Sequence, residues 1–393
     1  MIRFLHEKYE CSGCSACVNI CPVNAICMES DSEGFLYPHI DDKSCVNCHL
    51  CNKVCSALNR EKCIGNECDA FAAYTKNQYT HINSSSGGIF AEIAQLIIEN
   101  RGVVFGAAFS EGYTVRHIMV DSVDNLKLLQ GSKYLQSDMR DTYAQVKKML
   151  DTERWVLFTG TPCQVEGLRN FLKRDYNQLI TQDIVCHGVP SPLVWKKYIE
   201  WKEANAHSTV SSVNFREKNF GWKKFSLCVA LSNGTEYRRK FNEDLFMKGF
   251  LSNIYLRPSC YQCRFRSVHR ISDFTLADFW GIQHVCPEME HPDGTSLIWL
   301  NSDKAKAIWG EVKEKLIYKK VDLNEAIRYN TAAVSSIQLP MVRTRFFELF
   351  QSKPIDVAIS AVLPKENAFK KLARKMKKLL KTYLKTLIQS VMA

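Results

Sequence analysis

Through the middle of the chain, short apolar blocks alternate with longer periodic ones. Phe71-Ala-Ala-Tyr74 reads as a short strand. In Ile89–Ile98 the apolar positions recur at three and four residues, the period of a helix with one buried face, and Arg101-Gly102 is its stop. Gly102–Phe109 is a continuous apolar block, as in a strand buried on both faces. Asp141–Leu150 then reads as a helix, Trp155–Thr159 as a buried strand, Val165–Lys173 as a helix and Leu179–Val185 as a strand. This alternation predicts an α/β core. Such sheets place their ligands beyond the carboxyl ends of the strands. Residues 341–363 read as a connecting helix and loop, punctuated by Pro340, Pro354 and Pro364.

The last thirty residues differ. Phe369, Leu372, Met376, Leu379, Tyr383, Leu387 and Val391 keep helical spacing, and lysines fill most positions between them. This predicts a C-terminal basic amphipathic helix. Two readings stand for it. It docks on an anionic membrane surface or an acidic partner, or it packs its apolar face on the body with lysines outward.

Composition narrows the class. The chain has 393 residues, 46% hydrophobic and 24% charged, which excludes a disordered or fibrous protein. No apolar run approaches the ~20 residues of a membrane helix. Met1–Cys14 shows no apolar stretch of the kind a secretion signal needs. The expectation is a cytoplasmic chain, with peripheral contact at the inner membrane face confined to residues 364–393. The net charge is +11, of which residues 364–393 carry +8, so the body is almost neutral. No nucleic-acid-binding surface is indicated.

The 17 cysteines carry the strongest signal. Cys11-Ser-Gly-Cys14-Ser-Ala-Cys17-Val-Asn-Ile-Cys21-Pro22 and Cys45-Val-Asn-Cys48-His-Leu-Cys51-Asn-Lys-Val-Cys55 both read C-x2-C-x2-C-x3-C. Three thiolates at that spacing wrap one iron–sulfur cluster, and the fourth ligates the neighbouring cluster. The predicted sets are Cys11, Cys14, Cys17 and Cys55 for one [4Fe-4S] cluster, and Cys45, Cys48, Cys51 and Cys21 for the other. Ser56 stands where the second run would carry proline. Zinc is the rival metal, but its sites usually pair two C-x2-C hooks. Cys27, in the strand Ala25–Met28, reads as a small buried hydrophobe, and Cys228 and Cys286 as structural. Cys63 and Cys68 lie in a segment, Glu61–Asp69, that reads as a linker.

Downstream, Cys163 and Cys186 each follow a predicted strand, and Cys260-Tyr-Gln-Cys263 is a C-x2-C hook. These four form a third cluster site, a zinc site or four separate core positions, and spacing leaves all three open. The run Ser84-Ser85-Ser86-Gly87-Gly88 before the helix at Ile89 offers backbone N–H groups to an anion, or simply caps that helix. Gly131-Ser-Lys-Tyr-Leu-Gln-Ser137 is either a grip on a phosphate or ring, or an ordinary polar loop. Gly221-Trp222-Lys-Lys and Arg257 read as surface residues, in ordinary contacts or facing an acidic substrate.

Together and in this order, Ser84–Phe90, Gly131–Ser137, Thr159–Arg169, Cys186–Pro192, the hook and Ala277–Gly281 resemble a known family. It is that of the beta subunits of coenzyme F420-reducing hydrogenases and dehydrogenases, here behind a two-cluster ferredoxin module. The resemblance implies a core binding FAD and one [4Fe-4S] cluster. Ser85, Ser86, Gly87, Gly88, Lys133, Tyr134, Gln136 and Ser137 would then contact the flavin. Thr159, Gly160 and Thr161 would lie near flavin and cluster, and Cys163, Cys186, Cys260 and Cys263 would be the cluster ligands. His187 would donate a proton or hydrogen bond to reduced flavin, or a hydrogen bond to a cluster sulfur.

The expected architecture is α+β. Residues 1–60 form a bacterial-type two-cluster ferredoxin domain and 61–69 a linker. Residues 70–155 and 156–340 form two parts of an α/β flavin-binding core, and 341–393 a helical basic tail. The expected function is an iron–sulfur flavoprotein oxidoreductase, fed by a ferredoxin or another protein of a complex. It would act on a small-molecule substrate, such as one of polysaccharide biosynthesis. Two alternatives are an electron-transfer subunit with no substrate site of its own, and a coenzyme F420 hydrogenase/dehydrogenase beta subunit.

Overall fold

The computed structural model describes residues 5, 7–59 and 68–364. The expected basic amphipathic helix and Cys63 lie outside the described residues.

The two cysteine runs fold alike. Gly13 and Asn47, at equivalent places in the two runs, have φ of +73° and +53°; Ser15 and His49 have +63° and +58°. Left-handed residues curl each run into a tight loop. Each loop leads into a one-turn helix, Ala16–Asn19 or Leu50–Lys53. Between them, β1 (Ile26–Ser30) and β2 (Leu36–Ile40) form an antiparallel hairpin. Cys27 is exposed rather than buried. Ile26 takes the inward position of β1, so the two-residue period of a strand turns Cys27 outward. Cys228 and Cys286 are buried, as expected.

The core is an eight-stranded mixed sheet. Its strands are β3 (Asp69–Thr75), β4 (Val103–Phe109), β5 (Val115–Val120), β6 (Val156–Gly160), β7 (Leu179–Ile184), and, after a separate three-stranded sheet, three more. The separate sheet holds β8 (Val210–Glu217), β9 (Ser226–Leu231) and β10 (Glu236–Lys240); the main sheet resumes with β11 (Phe274–Asp278), β12 (Ser296–Leu300) and β13 (Leu316–Val321). The main order is β13-β3-β12-β11-β7-β6-β4-β5. β4, β6, β7 and β11 are mutually parallel, and antiparallel strands flank them on both sides. The short β4–β5 connection carries no crossover helix, so β5 returns antiparallel.

The side-chain alternation of these strands feeds two cores. Val104, Leu157 and Ile180 face the helices Ile89–Glu99 and Asp303–Val312. Val103, Phe105, Val156, Phe158 and Leu179 face the other side, against Thr142–Asp151 and Pro162–Leu172. Ala16 and Val54, from the two cysteine-loop helices and their ends, join that second core at zero exposure. The ferredoxin-like module is thereby packed onto the same helices that lead to the site. Helices Val342–Ser352 and Ile355–Val362 bring Phe346, Phe350 and Ile359 into the core built around Trp195 and Phe246. Residues 341–363 thus belong to the folded body.

Candidate functional site

At the carboxyl ends of β6, β7 and β11 lies a cavity of about 360 Å³. That is within the ~300–1,000 Å³ typical of small-ligand sites. Ser85, Ser86, Gly88, Lys133, Tyr134, Gln136, Ser137, Thr159, Gly160 and Thr161 all line it. So do Cys163, Cys186, Cys260 and Cys263, and so do Ser12 and Gly13 from the first cysteine loop. Gly87 and His187 are not among the lining residues.

The Ser/Gly run is fixed from both sides. Ser85 Oγ accepts the Ser132 N–H at 2.7 Å, which joins the two polar loops predicted as ligand grips. Ser86 Oγ donates to the Thr295 carbonyl at 3.0 Å, and the Gly87 N–H donates to Ser296 Oγ at 2.9 Å. A Cβ at position 87 would stand 2.3 Å from the Ala73 carbonyl oxygen, so only glycine lets this run press against the sheet. Behind it, His81, His291 and Asp293 bring ligand-capable atoms within 4.8 Å of one another. His81 Nε2 lies 2.6 Å from the Gly294 carbonyl, and Lys218 donates to the carbonyls of His81 and Asp293. With a lysine ammonium so close, this cluster reads as packing behind the loop.

The cavity wall holds charged groups that periodicity alone does not single out. Arg216, buried, pairs with Asp278 at 3.1 Å and donates to Tyr134 Oη at 3.4 Å. Asp278 ends β11 and lines the cavity. Lys133 donates to the carbonyls of Leu128 and Gln130 at 2.9 and 2.8 Å. Desolvation pulls its ammonium down to about 7. An anion in the cavity would reverse that shift. His117, on β5, bridges Ser137 and β6: Nδ1 lies 2.7 Å from Ser137 Oγ, and Nε2 lies 3.0 Å from the Thr159 carbonyl. The carbonyl accepts only, so Nε2 carries the proton and Nδ1 accepts from Ser137. Burial holds this imidazole neutral down to about 4.

The core cysteines arrive from three directions. Cys163 sits in the first turn of Pro162–Leu172, whose start is a capping box between Thr161 and Gln164. Cys186 follows β7, and Cys260 and Cys263 flank the end of the turn Pro258–Gln262. Burial pushes Cys186 up to about 11 and Cys260 to about 12, and neighbouring thiolates of the same set push in the same direction. The Cys163 thiol is likewise raised by burial, with Cys186, Cys263 and Cys14 adding to the shift. Crowded buried thiols of this kind deprotonate only around a metal centre, so the donor set fits a cluster.

The N-terminal thiols assemble largely as the spacing predicts. Burial raises Cys17 well above its ordinary range, and the charges of Cys14, Cys11 and Cys55 add to it. Cys55, from the second run, is pushed up to about 12 by burial, with Cys14 and Cys11 beside it. Cys51 is raised by burial with Cys48 and Cys45 as neighbours. Cys21 Sγ accepts the Ala25 N–H at 3.2 Å. The inner loop also touches the core helix: a Cβ on Gly167 would lie 3.0 Å from Cys14 Cβ and 3.1 Å from its Sγ. Gly167 is one helical turn beyond Cys163, so the first cysteine set abuts the third.

Three expected residues sit elsewhere than the sequence placed them. His187 Nε2 is 2.7 Å from Asn253 Oδ1 and its ring meets Phe250 edge-on, away from the cavity. Arg257 is fully buried and Trp222 is 3% exposed, so neither is a surface residue. Trp222 Nε1 donates to the Ser85 carbonyl at 3.1 Å. Among the described residues no helix is long and apolar enough to cross a membrane.

Comparison with known proteins agrees with the resemblance. Residues 153–326 match the family described as coenzyme F420 hydrogenase/dehydrogenase, C terminus of the beta subunit. Residues 10–58 match the 4Fe-4S dicluster domain. The chain is 20% identical over 182 residues to the F-type subunit of the F(420)H(2) dehydrogenase of Methanosarcina mazei, a match covering 43% of this chain and 50% of that protein. It thus spans about half the length of that relative. A chain of the F420-reducing [NiFe] hydrogenase complex from Methanosarcina barkeri is similar at a TM-score of 0.47 and 15% identity, over 70% of this chain and 90% of that one. This chain is a member of the family of coenzyme F420 hydrogenase/dehydrogenase beta subunits, carrying a 4Fe-4S dicluster domain at its N-terminus.

Proposed function

We propose that the chain is an iron–sulfur electron-transfer subunit of a complex like the coenzyme F420 hydrogenases and dehydrogenases, with a flavin in its cavity. The family matches favour this over a stand-alone reductase of a polysaccharide-pathway substrate. One observation carries the reading. Cys14 of the inner loop lies against Gly167, one turn from Cys163, and both Gly13 and Cys163 line the cavity. The cysteine sets therefore form a row, from exposed Cys48, through buried Cys17, to the cavity wall.

Clusters exchange single electrons, and a flavin exchanges either single electrons or a hydride. The chain's own residues would do the rest. Cys163, Cys186, Cys260 and Cys263 hold a third [4Fe-4S] cluster, and Cys21 completes the outer set. Lys133 meets an anionic group of the cofactor. Ser85 and Ser132 lock the two loops that frame the cavity, with Gly87 and Gly88 holding the first against the sheet. His117, neutral and of fixed tautomer, keeps Ser137 and Thr159 in place. Tyr134, held by Arg216, forms a wall beside Gln136, Gly160 and Thr161. His187 is a positioning residue, holding the Cys186 loop to Asn253. The partner is a redox subunit or ferredoxin, docking where Cys48 is exposed.

The test is iron and flavin analysis after strictly anaerobic purification of the full chain. The expected result is about twelve irons, three clusters of four, and one flavin per chain. About eight irons would remove the third cluster, and a chain that neither retains nor rebinds flavin would remove the flavin.

A further inference from the structure

Arg257 is among the largest side chains with no solvent exposure in the molecule. A buried guanidinium is costly unless an anion or full hydrogen bonding compensates it. Among the described residues, Arg257 forms no ion pair with a carboxylate. Its Nε donates to the Cys11 carbonyl at 2.9 Å, and Nη2 donates to the Leu36 carbonyl at 3.0 Å and towards Cys11 Sγ at 3.7 Å. Nη1 donates to Gln136 Oε1 at 3.0 Å, and the Tyr37 ring lies 4.2 Å from the guanidinium carbon. The one group at hand that becomes anionic is therefore the Cys11 sulfur, a ligand of the inner set.

The surroundings are shaped for this contact. Gly13, two residues after Cys11, has φ +73°, and a Cβ there would stand 2.9 Å from Arg257 Cζ and 2.4 Å from Gln136 Nε2. The Arg257 carbonyl accepts the N–H of Cys260 at 2.9 Å. One residue thus touches the inner cluster loop, the cavity loop and the core cysteine hook.

We propose that Arg257 is the fixed counter-ion of the inner cluster and raises its reduction potential. The proposal rests on the reading that Cys11, Cys14, Cys17 and Cys55 hold a cluster. Reduction adds one negative charge to such a cluster, and a guanidinium on a ligand sulfur favours that state. Net charge and hydrogen bonds to sulfur are what set cluster potentials. Arg257 does not react itself; it positions the inner loop and tunes it.

The test is an EPR-monitored redox titration of the anaerobically purified full chain, as wild type, Arg257→Gln and Arg257→Lys. In Arg257→Gln the iron content should stay the same. The reduction equilibrium of one N-terminal cluster should fall at least tenfold, about 59 mV for a one-electron couple. Arg257→Lys, which keeps the charge, should recover most of the shift. Unchanged potentials in Arg257→Gln, or an equal shift in both variants, would overturn the proposal. Should Arg257→Gln fail to fold, wild type and Arg257→Lys labelled with 15N-arginine decide by pulsed EPR. A weak 15N coupling to a reduced cluster in wild type, lost in Arg257→Lys, supports the contact, and its persistence in the variant refutes it. A wild-type chain without N-terminal cluster signals would instead overturn the cluster assignment.

Discussion

The two cysteine loops have the same spacing and the same left-handed residues at equivalent positions, yet they live in different surroundings. Cys11 and Cys17 of the inner loop are buried, Gly167 backs it, and Arg257 reaches its sulfur. In the outer loop Cys48 is exposed and Val46 is 60% exposed. One repeated motif therefore supplies two parts with different duties. The inner loop is built into the protein's core and touches the cavity. The outer loop presents a cluster site to whatever approaches from outside. Loop geometry decides that a cluster binds; the neighbours decide its potential and what it can reach.

The sharpest way to break this comparison is to remove one thiolate from each loop. Cys17→Ser and Cys51→Ser should each lose about four irons, one cluster. Their effects on the fold should differ. Cys17 packs in the main aromatic core, where metal binding and folding free energy are coupled. Cys17→Ser should lower the melting temperature and the flavin content, and Cys51→Ser should leave both near wild type. Equal melting temperatures would mean the inner loop is no more part of the core than the outer.

Next in size is an acid effect confined to the inner side. Native His117 stays neutral down to about pH 4, whereas the unfolded chain protonates it near its ordinary value of 6.5. Between those values the unfolded state binds more protons, so stability falls as pH falls through that window. A shift of this size corresponds to roughly 3 kcal/mol. Chemical denaturation at pH 7 and pH 5 should show the loss in wild type, and a shallower dependence in His117→Gln. The same slope in both proteins would put the acid sensitivity elsewhere.

Which of these features could be read in the sequence follows from how local each one is. The ligand runs and the Thr161–Gln164 capping box are complete within a few residues, so they are legible. The strands β4, β6 and β7 are announced by continuous apolar blocks for the same reason. Arg257 is the opposite case. It precedes Pro258 in a polar turn and looks exposed, but its partners Cys11 and Gln136 lie 246 and 121 residues away. Gly167 looks like any small helical residue until the first loop is laid against it. His117 follows the inward positions of a strand, and nothing nearby announces Ser137 and Thr159. Cys27 lies one step of strand parity from the buried position its residue type suggests, and residue type does not reveal parity.

The smallest expected effect tests the outer loop alone. If that loop is where an electron donor docks, its apolar rim should control the docking rate and little else. Val46→Glu should change stability by no more than about 0.5 kcal/mol, as exposed substitutions usually do. Against an acidic reduced ferredoxin, the new carboxylate adds like-charge repulsion at the rim, which acts on association rate and is screened by salt. Cluster reduction by that ferredoxin should slow about tenfold at low ionic strength and recover as salt is raised. Reduction by a small uncharged photoreductant should keep its wild-type rate, because it needs no docking face. Slowing by both reductants would show damage to the loop itself. An unchanged rate with ferredoxin would move the docking face away from Val46 and leave the exposed Cys48 without its assigned role.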